Sequence, residues 1–85
     1  MSQLEKAIDR IKKCPKDYTY DELRYLMRKL GFEEYNKGKS SGSRVRFYRE
    51  TDRQLIDLHK PHPKPEMDVA AVKMVKDFLE DLGDI

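Results

Sequence analysis

Gly38-Lys39-Ser40-Ser41-Gly42-Ser43-Arg44-Val45-Arg46-Phe47-Tyr48-Arg49 is the stretch of this sequence that decides the predicted fold. Its first half contains no large apolar residue and predicts a loop. Residues 44–48 then alternate with a period of two, which is typical of a half-buried strand. The apolar residues of this strand would face a core, whereas Arg44, Arg46 and Tyr48 would face solvent.

A second alternating run follows the first so closely that the two strands should form a hairpin. Ile56 and Leu58 make its apolar face, and Leu55, Asp57 and His59 lie on the other. A two-residue turn at Thr51-Asp52 would set the register of the hairpin so that the apolar residues of both strands lie on the same face. The expected cross-strand pairs are Phe47 with Ile56, Val45 with Leu58, Arg46 with Asp57, and Arg44 with His59.

Two helices and an edge strand are predicted before the hairpin. Ser2 can cap a first helix that ends near Pro15, and Thr19-Tyr20-Asp21-Glu22 has the form of a capping box that opens a second. Gly31 is a natural stop for that second helix. Residues 32–37 then predict an edge strand, because two adjacent glutamates interrupt the alternation.

A last helix is predicted to begin after Asp68 and to end at Gly83. Its apolar residues recur at helical spacing and are Val69, Val72, Met74, Val75, Phe78, Leu79 and Leu82. The order of elements predicts an α+β domain, in which helices cover one face of a three-stranded antiparallel sheet and leave the other face open.

The length of 85 residues allows one small domain, with residues 1–15 as an N-terminal helical extension and residues 19–85 as the core. The single cysteine, Cys14, cannot form an internal disulfide, which favours a reduced, cytoplasmic setting. No apolar run approaches the length of a membrane span, so we expect a soluble protein. Nothing in the sequence indicates a cofactor.

Charge is distributed unevenly along the chain. Residues 37–60 contain seven Lys or Arg against three acids, whereas residues 66–85 contain six acids against two lysines. The hairpin is therefore a basic element, as a phosphate-binding face would require, although charged runs are also common on ordinary solvated surfaces.

A stiff connector, Lys60-Pro61-His62-Pro63-Lys64-Pro65, follows the hairpin, and its alternating prolines keep the chain extended. His59 and His62 are a weak signal for a metal site, because no cysteine lies nearby. They are better suited to acid or base chemistry, since histidine titrates near neutral pH.

In their order and spacing these motifs resemble the HicA toxin family of HicA/HicB toxin–antitoxin systems, also called YcfA-like proteins. The resemblance runs from about Tyr20 to Ile85. It rests on Gly31-Phe32 after the second helix, on Gly42-Ser43-Arg44-Val45-Arg46-Phe47, on Pro61-His62-Pro63 after the third strand, and on Leu82-Gly83 at the end of the last helix.

The resemblance implies a fold similar to the double-stranded-RNA-binding domain and an mRNA-cleaving ribonuclease that a HicB antitoxin holds inactive. Family members carry a catalytic histidine directly after Gly-Ser, and Arg44 stands at that position here. Arginine cannot act as a general base at neutral pH, but it can hold a phosphate with two parallel hydrogen bonds. Cleavage would require another imidazole, and the predicted register nominates His59.

The expected partners are therefore mRNA and a HicB-type antitoxin, with no contact to DNA or membrane and no metal. The predicted catalytic residues are His59 and Arg44. The predicted RNA-binding residues are Lys39, Ser43, Arg44, Arg46, Tyr48, His62 and Lys64.

Two alternative functions remain open at the level of sequence. The same fold could be a non-catalytic protein-interaction module, whose basic face docks an acidic partner such as an antitoxin. A small metal enzyme would have only His59 and His62 in its support.

Overall fold

The computed structural model describes residues 2–36, 44–61 and 64–85, and within these it contains three helices and three strands. In chain order they are α1 (Gln3–Lys12), α2 (Tyr20–Lys29), β1 (Glu33–Asn36), β2 (Arg44–Arg49), β3 (Gln54–His59) and α3 (Val69–Leu82). The strands form one antiparallel sheet in the order β1-β2-β3. The predicted α+β class is confirmed, and so is the position of the first strand at an edge.

The helices begin where the sequence predicts. The Ser2 hydroxyl accepts a hydrogen bond of 3.1 Å from the Glu5 N–H at the start of α1. At the start of α2 the complete capping box is present, with the Glu22 N–H donating to the Thr19 hydroxyl and the Thr19 N–H donating to the Glu22 carboxylate, at 3.2 and 2.8 Å. Asp68 precedes α3 as predicted, but its side chain makes no capping hydrogen bond.

The predicted hairpin register is confirmed at all four pairs: Phe47 faces Ile56, Val45 faces Leu58, Arg46 faces Asp57, and Arg44 faces His59. The turn is longer than predicted. The strands separate after the Arg49 and Gln54 pair, so four residues, 50–53, connect them. Thr-Asp does not favour the tight two-residue turn, and the left-handed backbone of Arg53, with φ of 55°, belongs to this wider connection.

One core lies between the sheet and the helices. Val45 and Phe47 of β2 and Ile56 and Leu58 of β3 contribute to it from the sheet. The helices contribute Ile11, Leu23, Leu26, Met27, Val72, Val75 and Leu79. Because Ile11 is fully buried, α1 belongs to the same core as the rest of the chain.

Two residues of the predicted apolar stripe on α3 lie outside the core. Met74 and Val69 are exposed, whereas Val72, Val75 and Leu79 are buried. Met74 is displaced by 200° around the helix from Val72, which places it on the solvent side. That part of the predicted stripe was wrong. In the described part of the chain, no helix is long and apolar enough to cross a membrane.

Residues 65–67, at the end of the proline connector, are hydrogen-bonded to residues at the start of α2. The Tyr20 N–H donates to the Pro65 carbonyl at 3.0 Å, and the Met67 N–H donates to the Tyr18 carbonyl at 2.7 Å. The Lys60 ammonium lies 5.2 Å from the centre of the Tyr20 ring. These contacts hold Lys60 and residues 65–67 near the start of α2.

Candidate nucleic-acid interface

The face of the sheet that the helices leave uncovered, which we call the open face, carries alternate residues of all three strands. The strand registers arrange them in rows across the sheet. One row contains Glu33, Tyr48 and Leu55, the next contains Tyr35, Arg46 and Asp57, and the last contains Arg44 beside His59.

Arg44 and His59 form the corner of the open face. They are direct cross-strand partners at one end of β2 and β3, and both are exposed. Opposed residues of an antiparallel pair have Cβ atoms roughly 5 Å apart, so a guanidinium and an imidazole can reach one phosphodiester group together. The structure therefore brings together the two residues that were predicted to be catalytic.

Arg46 and Asp57 form an ion pair in the next row. The Arg46 Nε and Nη2 atoms donate to the two carboxylate oxygens of Asp57 at 2.8 and 3.2 Å. The hydrogen bond to Asp57 raises the pKa of Arg46, whose guanidinium is charged at any physiological pH. A guanidinium has five N–H donors, so a pair that uses two of them is compatible with a further phosphate contact.

The Asp57 carboxylate thus reaches across to β2. It lies two residues before His59 on the same face, about 6.8 Å along the strand, but both of its oxygens are engaged by Arg46. Asp57 therefore balances the positive charge of Arg46.

Tyr48 lies on the open face as predicted and is half-buried. Leu55 lies on the open face as predicted, whereas the sequence analysis missed two other members of this face, Glu33 and Tyr35. Tyr35 and Leu55 are exposed by 47% and 43%. The faces of β1 could not be assigned because its alternation is interrupted, but its register with β2 places Glu33 and Tyr35 beside Tyr48 and Arg46.

The remaining predicted RNA-binding residues are not on the described sheet. Lys39, Ser43 and His62 lie outside the described residues. Lys64 is exposed in the connector, next to the segment that is held against α2. In the described ranges no group of three or more His, Cys, Asp and Glu residues could hold a metal ion.

Arg49, which the sequence analysis counted with the basic hairpin, lies on the covered face and is only 9% exposed. Its guanidinium donates to both carboxylate oxygens of Asp52, at 2.9 and 2.7 Å, and to the Leu30 carbonyl at 2.9 Å. It also pairs with Asp84 at 2.9 Å and stacks on the Phe32 ring, with Cζ 4.5 Å from the ring centre. The cationic excess of the hairpin is therefore not all presented to solvent on the open face.

The fold and this face define a class of small α+β domains whose helices pack on one side of a three-stranded antiparallel sheet. Residues 20–83 match the family model of the HicA toxin of bacterial toxin–antitoxin systems. The chain belongs to the HicA toxin family, and its fold is of the double-stranded-RNA-binding-domain type, as predicted. No match was found among curated proteins or among solved structures.

Membership assigns the chain to toxins of toxin–antitoxin systems and implies a cognate antitoxin as its partner. The matched range begins at the first residue of α2, so α1 lies outside it. The N-terminal helix is thus an addition to the matched region, even though Ile11 is part of the common core.

Proposed function

We propose that this HicA family member binds RNA through the open face and cleaves mRNA at the corner formed by Arg44 and His59, and that a HicB-type antitoxin neutralises it. The observation that carries the proposal is the register, which makes these two exposed residues direct cross-strand partners. Arg46, Tyr48 and Lys64 would contribute to RNA binding.

The proposed chemistry assigns one role to each corner residue. The His59 imidazole accepts the proton of a ribose 2′-hydroxyl, and the 2′-oxygen then attacks the adjacent phosphorus. The bond from phosphorus to the 5′-oxygen breaks, and that oxygen takes a proton from solvent. Arg44 holds the phosphate and stabilises the charge that develops on its oxygens. The products are a 2′,3′-cyclic phosphate and a 5′-hydroxyl end.

A cleavage assay with the purified protein, free of antitoxin, tests this proposal. We expect a long single-stranded RNA to be cut and His59→Ala to abolish cutting, while Arg28→Ala, which removes an exposed cation of α2, leaves it unchanged. Arg44→Lys should retain much of the binding but slow cleavage, because lysine cannot hold a phosphate with two parallel bonds. A 2′-deoxyribose at the cleaved position should block the reaction.

The results separate the two parts of the proposal. Cleavage that persists in His59→Ala would show that His59 is not the base. Absence of cleavage together with salt-dependent binding would identify an RNA-binding protein without nuclease activity. Addition of the cognate antitoxin should suppress both activities.

A second candidate function is a non-catalytic protein-interaction module on the same fold. The observation that favours it is the composition of the open face, where exposed Tyr35 and Leu55 lie next to the Arg46–Asp57 pair. Tyrosine and arginine are enriched at the energetic centres of protein interfaces. A protein that binds its antitoxin through these residues and never binds RNA would fit this alternative.

A further inference from the structure

Two tyrosines lie next to each other on the open face. Tyr35 of β1 is the direct partner of Arg46, and Tyr48 follows Arg46 by two residues on the same face of β2. Tyr35 and Tyr48 are therefore diagonal neighbours, a separation that aromatic side chains span across a sheet. Their proximity is also reflected in the pKa of Tyr35, which the hydrogen bond to Glu33 raises most and to which Tyr48 adds a smaller increase.

Neither ring belongs to the hydrophobic core, and the Tyr35 hydroxyl is tethered. The Tyr35 hydroxyl donates to a Glu33 carboxylate oxygen at 2.6 Å, and the Glu50 carboxylate raises the pKa of Tyr48. This hydrogen bond restricts the orientation of the Tyr35 ring while the side chain stays 47% exposed. A ring that is already ordered loses little conformational entropy when a ligand stacks on it.

The charges on the open face nearly cancel, so electrostatic attraction alone would bind phosphates only weakly. Among its described members, Arg44 and Arg46 are matched by Glu33 and Asp57, and Arg46 is already bonded to Asp57. A duplex presents mainly its phosphates and sugars to a flat surface, whereas a single strand also presents the faces of its bases. Stacking on the tyrosines would supply the binding free energy that the balanced charges do not.

We propose that the open face recognises single-stranded RNA in preference to duplex RNA, with Tyr35 and Tyr48 as the platform on which bases stack. This inference rests on the proposed function and adds to it the strandedness of the substrate and a binding role for Tyr35. Arg44 lies four residues before Tyr48 on the same face of β2, about 13 Å away. A strand that stacks on the tyrosines at one end of β2 can present a phosphodiester to Arg44 and His59 at the other.

The test measures the affinity of fluorescently labelled RNA by anisotropy, for a single strand and for the same strand annealed to its complement. Tyr35→Ala and Tyr48→Ala should each weaken single-strand binding roughly 5- to 150-fold, the range expected for the loss of one stacked base. Tyr35→Phe, which keeps the ring but loses the hydrogen bond to Glu33, should retain most of the affinity. Tyr25→Ala is the matched control, because Tyr25 is an exposed tyrosine of α2, away from the open face.

Two further readouts separate stacking from a purely structural role. Tyr35→Ala should lower affinity without changing the dependence of binding on salt concentration, because no phosphate contact is lost. Tyr35→Trp should retain binding and show quenching of its fluorescence when single-stranded RNA is added. The chain contains no other tryptophan, so the signal would come from this position alone.

The outcomes distinguish failure of this inference from failure of the proposed function. If the wild type binds no RNA, the proposed function is wrong. If it binds single-stranded RNA but both tyrosine variants behave like Tyr25→Ala, or if it prefers the duplex, the stacking platform is wrong and the proposed function stands. Variants that keep RNA affinity but lose the antitoxin would assign the tyrosines to protein docking and would also overturn the inference.

Discussion

The guanidinium of Arg49, on the last residue of β2, forms an ion pair of 2.9 Å with Asp84, the penultimate residue of the chain. The same guanidinium bonds to Asp52 in the turn between β2 and β3 and to the carbonyl of Leu30 at the end of α2. One side chain thus joins the sheet, its turn, the end of a helix and the C-terminal segment.

Replacing Arg49 with methionine should destabilise the protein by about 2–4 kcal/mol, because it leaves two carboxylates and a carbonyl without their partner. The free energy of unfolding can be measured by urea denaturation. Arg28→Met is the matched control, because Arg28 is exposed on α2. This variant should change the free energy of unfolding by no more than about 0.5 kcal/mol. Equal losses in the two variants would show that the Arg49 contacts contribute nothing net.

The contribution of Arg49 should depend on pH. The hydrogen bond from Arg49 holds the pKa of Asp52 below its ordinary value of 3.8. A carboxylate with a lowered pKa stabilises the folded state above its unfolded-state pKa, and this stabilisation is lost as pH falls through the folded-state value. The stability difference between wild type and Arg49→Met should therefore be constant from about pH 7 to about pH 5 and shrink below about pH 4. A difference that stays unchanged below that pH would contradict the assignment.

Alanine at Gly31 should cost more than alanine at Gly83. Both glycines have left-handed backbones, with φ of 95° and 82°. At Gly83 an added Cβ meets no atom within 4 Å, so the loss should be about 1 kcal/mol for the backbone alone. At Gly31 the Cβ would also lie 3.2 Å from Cδ of Arg49, whose side chain is held in place by its bonds, which adds about 1 kcal/mol or more.

Thermal or urea unfolding of the two glycine variants measures this difference directly. Gly31→Ala should lower the free energy of unfolding less in the Arg49→Met background than in the wild type, because the Arg49 side chain that the added Cβ would meet is then absent. The interpretation fails if the two glycine positions prove equally sensitive.

Ile11→Ala should destabilise the protein by about 2–4 kcal/mol, even though α1 lies outside the range that matches the family model. Ile11 is fully buried in the core, so its removal leaves a cavity. Ile8→Ala, at a partly buried position of the same helix, should cost clearly less. If Ile11→Ala left the free energy of unfolding unchanged, the packing of α1 on the core would contribute little to stability.

Asp57→Asn should strengthen RNA binding if the proposed function holds. The change removes a carboxylate from the open face and releases the two guanidinium donors of Arg46 that it engages. We expect an affinity gain of roughly threefold to tenfold at low salt, which declines as salt screens the charges. Asp9→Asn, on the exposed surface of α1, serves as the control and should have no effect. Weaker binding by Asp57→Asn would mean that the pair itself is needed to hold Arg46 in place.

Much of the open face could be predicted from the sequence because strand alternation assigns the faces and the position of the turn sets the hairpin register. A turn centred on Thr51 and Asp52 makes Arg44 the partner of His59. The observed turn has the same centre, although it is two residues longer than predicted. The position of Tyr35 on the open face was not predicted, because β1 lacks a clean alternation. Only the pairing of β1 with β2 shows which face Tyr35 occupies.

The sequence by itself determined the local features of this protein. The capping box at Thr19, the left-handed stop at Gly31 and the alternation of β2 each depend on residues within a few positions of one another, so local chemistry specifies them. Only the tertiary structure decided that the Arg49 side chain is buried, that Ile11 belongs to the common core and that Tyr35 lies on the open face. Those outcomes depend on which element covers each side chain, and residues distant in the sequence provide that cover.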